Sequence, residues 1–420
     1  MSRKSFFVGL LSLLLLSGCN PWARRYDPAS VNFQVVYNPV FENQFYPSAV
    51  LGLAHYVSDE VLNDSVALFK YSVTAPEDNS VLRVVVDSSM VNLATTEQYI
   101  LPHAGERYTF YPQVKWKFDK LYRLRRQATA DLTFTCYVND EEVDVKNLRL
   151  NCRSANDCLL SIRDKKGRMH DFRWLFAGYV NEDHPYIDSI LVTMLSQGVV
   201  TSITGYQGKP QEVGKQVEAI WYYALERGIT YSSISCAANP TQRSNVQHIR
   251  FFDEVYDSRQ ANCIDACVFF ASIMRKIGLK PLIFVEPCHA YLGYYTSRQR
   301  QQVQLLETTI TGWVNFPSLT REYRDAASRR PDAAPYQCLS AQTNRKYCQY
   351  LSNAELQRWK SGQMSFEEFK HAVAHQLFLT ATEYDTYNYQ TNKAAFDDPE
   401  NQRYQRLDIE QLRKIVRPIN

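Results

Sequence analysis

The 420-residue chain carries very little net charge: 47 Lys and Arg against 44 Asp and Glu leave +3 at neutral pH. That balance gives no electrostatic argument for a nucleic-acid partner, and the short basic cluster from Arg123 to Arg126 reads as a solvated face. There is no Gly-rich phosphate loop and no dinucleotide-binding fingerprint, which removes those routes to nucleotide chemistry. Internal repeats and low-complexity tracts are missing as well, so a solenoid or a linker-dominated architecture is excluded. Long apolar runs are also lacking. The stretch Phe6–Leu16 is too short for a membrane-spanning helix, which needs roughly 20 residues.

The chain does have the 45% hydrophobic content and mixed charge of a folded protein, with length enough for two or three domains. Its 28 tyrosines and 21 phenylalanines suit a strand-rich fold with aromatic packing. Arg3 and Lys4 followed by Phe6–Leu16 form an export signal over residues 1–18. Leu16-Ser17-Gly18-Cys19 resembles the lipobox of bacterial lipoproteins. That resemblance implies that Cys19 is the lipidated first residue of the mature chain, anchoring it in the cell envelope. Asn20, where aspartate would signal retention, points to the outer membrane with the protein facing the periplasm. Residues 19–30, with Pro21 and Pro28, read as a polar tether.

Ten cysteines suit an exported protein. With Cys19 and Cys263 set aside the remainder is even, and Cys152 with Cys158 and Cys338 with Cys348 each bracket a short polar loop. Local bridges are expected there, although spacing alone leaves the connectivity open.

Three regions follow the tether. Over 31–164 the runs Val66–Val73, Val81–Val86 and Ala130–Val138 are strand-like and separated by turns, which predicts an antiparallel sandwich of immunoglobulin-like type. Over 165–315 the pattern becomes mixed. Val213, Val217, Ile220, Trp221, Ala224 and Leu225 recur at helical spacing before Gly228, and a helix is expected from Cys263 to Gly278. Strands are expected at Pro281–Val285, Ala290–Tyr295 and Val303–Glu307. From about Phe316 to 420 the chain reads as mostly helical, with Ala354–Trp359 and Phe366–Leu377 the clearest stretches.

The chemistry-bearing pattern lies in the middle region. Cys263 opens an apolar helix in Asn262-Cys263-Ile264-Asp265, His289 follows in Cys288-His289-Ala290-Tyr291, and Glu307 stands in Glu307-Thr308-Thr309. Thiol, imidazole and carboxylate are the parts of an activated cysteine nucleophile. Helix-start N–H groups favour a thiolate and can stabilise an oxyanion. Asp265 is expected to bond its own first helical turn.

These three motifs resemble the transglutaminase-like domain of the papain-related cysteine superfamily. The overall expectation is therefore α+β: an N-terminal immunoglobulin-like sandwich, a central transglutaminase-like domain and a helical C-terminal region. The resemblance implies Cys263 as nucleophile, His289 as base and acid, and Glu307 as orienting acid where many relatives carry aspartate. Gln260 is a candidate oxyanion donor by analogy with papain-like proteases. Cys288 departs from the glycine common in relatives, and a Cys267–Cys288 bridge would brace the helix against the histidine strand. Tyr206 and Trp221 also stand where exported relatives have similar residues, although core packing explains Trp221 equally well.

The implied activity is protease or amidase chemistry on an envelope protein or peptide, with no cofactor. Its rival is a non-catalytic envelope protein that keeps the fold as a binding or assembly module. Cys263, Cys267, Cys288 and His289 can be drawn as zinc ligands. Adjacent strand residues point to opposite faces, however, so Cys288 and His289 would not share a metal, and no metal is expected.

Overall fold

The computed structural model describes residues 25–53, 68–233 and 241–419. The expected signal segment, Cys19, Cys236 and the start of the Val66 strand lie outside these residues. The described chain is mixed α+β.

The N-terminal region holds two sheets. Gln34–Tyr37, Phe69–Thr74 and Arg107–Phe110 form a three-stranded antiparallel sheet with Phe69–Thr74 in the middle. The second has five strands, in the order Gln44–Phe45, Glu141–Cys152, Ala128–Val138, Ser80–Val86 and Thr95–Leu101. Alternation makes them two-faced: along Ser80–Val86 every second residue is buried, including Leu82, Val84 and Val86. Asn139 and Asp140, both at positive φ, make the two-residue hairpin loop into Glu141–Cys152. Aromatic rings fill the space between the sheets, with Phe69 and Phe134 centroids 6.0 Å apart and Phe45 and Trp116 4.9 Å apart.

A further three-stranded sheet joins Met169–Asp171, Asp157–Arg163 and Ser244–His248. It spans the boundary expected near residue 164, and a single main core runs from the two N-terminal sheets into the rest of the described chain. The helix Pro210–Arg227 ends at Gly228 in the left-handed conformation, and its apolar stripe is buried as the spacing predicts.

The site rests on a four-stranded antiparallel sheet in the order Val303–Leu306, His289–Tyr295, Pro281–Glu286 and Gln405–Asp408. Ile283, Val285, Leu292 and Leu306 join the main core together with the helix Cys263–Lys276. Leu282, Phe284, Tyr291, Tyr295 and Leu305 form a second cluster, covered by Tyr389 and Phe396 of the long helix Phe366–Asp397. The C-terminal region is therefore not only helical. After the helices Phe316–Arg329, Ala341–Cys348, Asn353–Lys360 and Phe366–Asp397, the strand Gln405–Asp408 closes the sheet beside Pro281–Glu286. Only four residues long, this strand was hidden in a polar tail.

The three expected disulfides are not formed. Cys152, Cys158, Cys267, Cys288, Cys338 and Cys348 are all free thiols. Cys158 turns to its own neighbour's carbonyl, Leu159 O, at 3.8 Å, and Cys348 turns to Asn344 Oδ1 at 4.0 Å. Cys267 is fully buried with Sγ 3.9 Å from Thr308 Oγ1, whereas Cys288 is exposed on a turn. Buried thiols of this kind act as small apolar side chains, and burial pushes Cys152 up to about 11.

Gly293 leaves no room for a methyl group. A Cβ there would lie 2.6 Å from Phe284 Cε2, and that ring is held by Tyr291, stacked at 5.2 Å, and by Tyr389 and Phe396. Gly293→Ala is expected to lower stability by about 1–3 kcal/mol, the range of overpacking substitutions, as read by thermal or urea unfolding.

Candidate active site

The start of the Cys263 helix is fixed before its chemistry is considered. Asn262 caps it, with Oδ1 accepting the Asp265 N–H at 2.9 Å while Asp265 Oδ2 accepts the Asn262 N–H at 3.0 Å. Asp265 thus binds its own first turn, as expected. It also accepts from the Arg250 backbone N–H at 2.8 Å and from Arg250 Nη1 at 2.7 Å. Cys263 is the first residue of the helix, where backbone N–H groups have no intrahelical acceptor. It is half-buried, and its thiol is free.

His289 is delivered by a tight turn. Glu286 pairs with His289, so Pro287 and Cys288 are the two central residues. Cys288 has φ 66°, a left-handed conformation that favours glycine. His289 Nε2 bonds Glu307 Oε2 at 2.7 Å, and the Cys263 side chain lies near enough to interact with the same imidazole. With Nε2 committed to Glu307, Nδ1 is the nitrogen left for the sulfur.

Glu307 is locked on every side. Its Oε1 accepts the Thr309 N–H at 2.8 Å and the Thr309 hydroxyl at 2.7 Å, which caps the short helix Thr308–Trp313. Its own backbone N–H donates to the Ala381 carbonyl of the long C-terminal helix at 3.1 Å. The Glu307 side chain is 3% exposed and that of His289 27%, so the acid is sealed while the imidazole keeps a solvent-facing edge.

Burial pulls the His289 pKa down, but hydrogen bonds to Cys263 and Glu307 and the charge of both outweigh it and push the imidazole up to about 11. Burial pushes Glu307 the other way, yet His289 and Thr309 hold its carboxyl below the usual carboxylate range. Both directions favour an imidazolium paired with the Glu307 carboxylate.

Three further sequence candidates find their places. Gln260 lies exposed on the short strand Gln260–Ala261, paired in parallel with Thr230–Tyr231. Its side chain is exposed, and the strand it lies on leads directly into the Cys263 helix. Tyr206 accepts the Lys280 N–H at 3.0 Å and donates to the Tyr295 carbonyl at 2.9 Å, which ties a loop to the sheet. Trp221 is wholly buried between Phe270 and Phe378 and serves packing.

Sequence reasoning did not single out Asn262, Arg250 or Asp385. The Asn262 side chain is buried beside Cys263, with Nδ2 unpaired, and an Asn ahead of an apolar run is a cap signal visible in the sequence. Asp385 carries no such signal. Its carboxylate lies within 4.8 Å of the donor atoms of His289 and Glu307, a trio with metal-ligand chemistry. Two ligands of one zinc ion stand about 3.3 Å apart, given bonds near 2.0 Å. The 2.7 Å between His289 Nε2 and Glu307 Oε2 is instead a hydrogen bond.

Cys288→Gly relieves a left-handed side chain that costs about 1–2 kcal/mol. The variant is expected to unfold at an equal or higher temperature in calorimetry, and the rate of Cys263 alkylation is expected to stay at the wild-type value. Compared with protein-family models and with curated proteins, the chain matches none.

Proposed function

We propose that this protein is an envelope lipoprotein that breaks amide or peptide bonds through Cys263, His289 and Glu307. Its central region would be a transglutaminase-like domain of the papain-related kind, preceded by an immunoglobulin-like sandwich. The observation that carries the reading is His289, held between the free thiol of Cys263 and the buried carboxylate of Glu307. A disulfide at Cys263, or an imidazole turned away from it, would have favoured the binding-module alternative.

The chemistry follows from the geometry. His289 holds the thiol proton on Nδ1, leaving a thiolate that attacks the carbonyl carbon of the substrate. The carbonyl π pair moves onto oxygen, where the backbone N–H groups at the start of the Cys263 helix receive the charge. As the intermediate collapses, the C–N bond breaks and His289 returns its proton to the departing amine. Water then gives a proton to His289 and attacks the thioester, and the acid leaves as the C–S bond breaks. Glu307 stabilises the imidazolium through both halves and keeps its orientation. Water is the abundant acceptor in the periplasm, so hydrolysis is preferred over transfer to a second amine. Substrates are envelope proteins or peptidoglycan peptides.

Site-resolved alkylation of Cys263 followed by mass spectrometry tests this, with the exposed Cys288 as an internal reference. Because His289 is raised, its positive charge persists through neutral pH and is lost only towards about 11. Cys263 is therefore expected to label rapidly at pH 6–7, where an unassisted thiol is largely protonated. His289→Ala should slow that labelling about 10²-fold, at the lower end of what general acid–base groups contribute. Slow labelling in both proteins would instead favour the binding module.

Glu307→Gln removes one of the two groups that raise the imidazole, so its titration should move down from about 11 towards the ordinary value near 6.5 without losing the Cys263 contribution, with a matching loss of labelling at neutral pH. The lowered carboxyl of Glu307 contributes stability above its unfolded-state value near 4.3, and that contribution is lost as pH falls through the folded-state value. The acid unfolding of wild type should therefore be steeper than that of Glu307→Gln.

A further inference from the structure

Asp385 is an acidic side chain beside Glu307 that the mechanism above does not use. It lies in the long helix Phe366–Asp397 of the C-terminal region and is wholly buried. Neither of its oxygens has a hydrogen-bond partner as a carboxylate, a state that low-polarity surroundings penalise heavily. Its position is not accidental. The Glu307 backbone N–H is bonded to the carbonyl of Ala381, one helical turn before Asp385, which brings the Asp385 side chain up to the Glu307 carboxylate.

We propose that Asp385 carries a proton and donates it in a hydrogen bond to Glu307, acting as a positioning residue for the acid that orients His289. The inference rests on the acyl-chemistry reading of Cys263 and makes the C-terminal helix part of the site. A carboxylate is an acceptor only, and Glu307 offers only another acceptor. A proton on Asp385 gives that carboxyl a partner and adds a donor to Glu307.

Charge leads to the same assignment. The groups facing Asp385 are Glu307, His289, Glu286 and Tyr291 from the sheet and its caps, and Cys267 from the Cys263 helix. On its own helix, Tyr389 packs alongside over Phe284. With thiolate, imidazolium and the Glu307 anion in place, a neutral Asp385 leaves the triad and Asp385 with one net negative charge, while an ionised one doubles it in a buried space. Burial first, and then the charge of Glu307, push the Asp385 carboxyl up to about 9.

The test compares wild type, Asp385→Asn, Asp385→Leu and His289→Ala by the pH profile of Cys263 alkylation, with thermal unfolding followed for each protein. Asparagine keeps a donor without charge, so Asp385→Asn is expected to label within about threefold of wild type at pH 6–8. Asp385→Leu should be slower by about tenfold or more, the scale of one lost hydrogen bond to a charged group. The wild-type profile should also show an alkaline inflection near 9 that Asp385→Asn lacks, a readout that does not need the leucine variant to fold.

Asp385→Asn labelling as slowly as His289→Ala would show that the charge of Asp385 is required and would overturn the proposal. So would unchanged labelling of folded Asp385→Leu, or wild-type labelling that changes on chelator treatment, which would make Asp385 a cation ligand. Slow labelling of Cys263 in wild type and His289→Ala alike would remove the acyl-chemistry reading itself. The first three results leave that reading standing.

Discussion

The hydrogen bond from His289 Nε2 to Glu307 is the interaction around which the site is built. A carboxylate in a sealed environment must be paired, or it protonates. Glu307 meets that demand with one imidazole and two donors from Thr309, while its backbone N–H ties it to the C-terminal helix. Each partner comes from a different stretch of the fold. A shift of the histidine strand or the Thr308 turn would leave a buried charge unsatisfied and a shift of the long helix would break the Glu307 backbone bond, so the cooperativity of the fold protects the geometry of the site.

The same logic explains the role of the C-terminal region. An open three-stranded sheet would expose the Pro281–Glu286 edge and the apolar face of Phe284 and Tyr291. The strand Gln405–Asp408 pairs that edge, and Tyr389 and Phe396 cover that face. The region bonded to Glu307 is thus also the one that completes the sheet carrying His289. Removing it would uncover sheet edge, apolar face and the Glu307 carboxylate together.

Cysteine usage takes a different physical form from the one its count suggests. Cys136, Cys152, Cys158 and Cys267 are packed as apolar side chains in the core, and burial raises each thiol away from ionisation. The thiol of Cys263, one helical turn before Cys267, instead meets an imidazole. Similar residues on one helix are driven apart in chemistry by what surrounds each sulfur.

Local signals in the chain were enough to determine the Cys263 helix, its Asn262 cap, the Gly228 stop, the Asn139-Asp140 hairpin and the strands on either side of Cys288. These follow from short-range periodicity and turn preferences, which act over a few residues. The order cysteine, histidine, acid was legible for the same reason, since each motif announces its own element. Tertiary structure alone decided that Gln260 faces solvent, that the described cysteines stay unpaired and that Gln405–Asp408 is a strand. It also brought Asp385 beside Glu307. None of these has a local cause: each depends on which distant surface arrives at the residue, and on whether that surface offers a donor, an acceptor or only hydrocarbon.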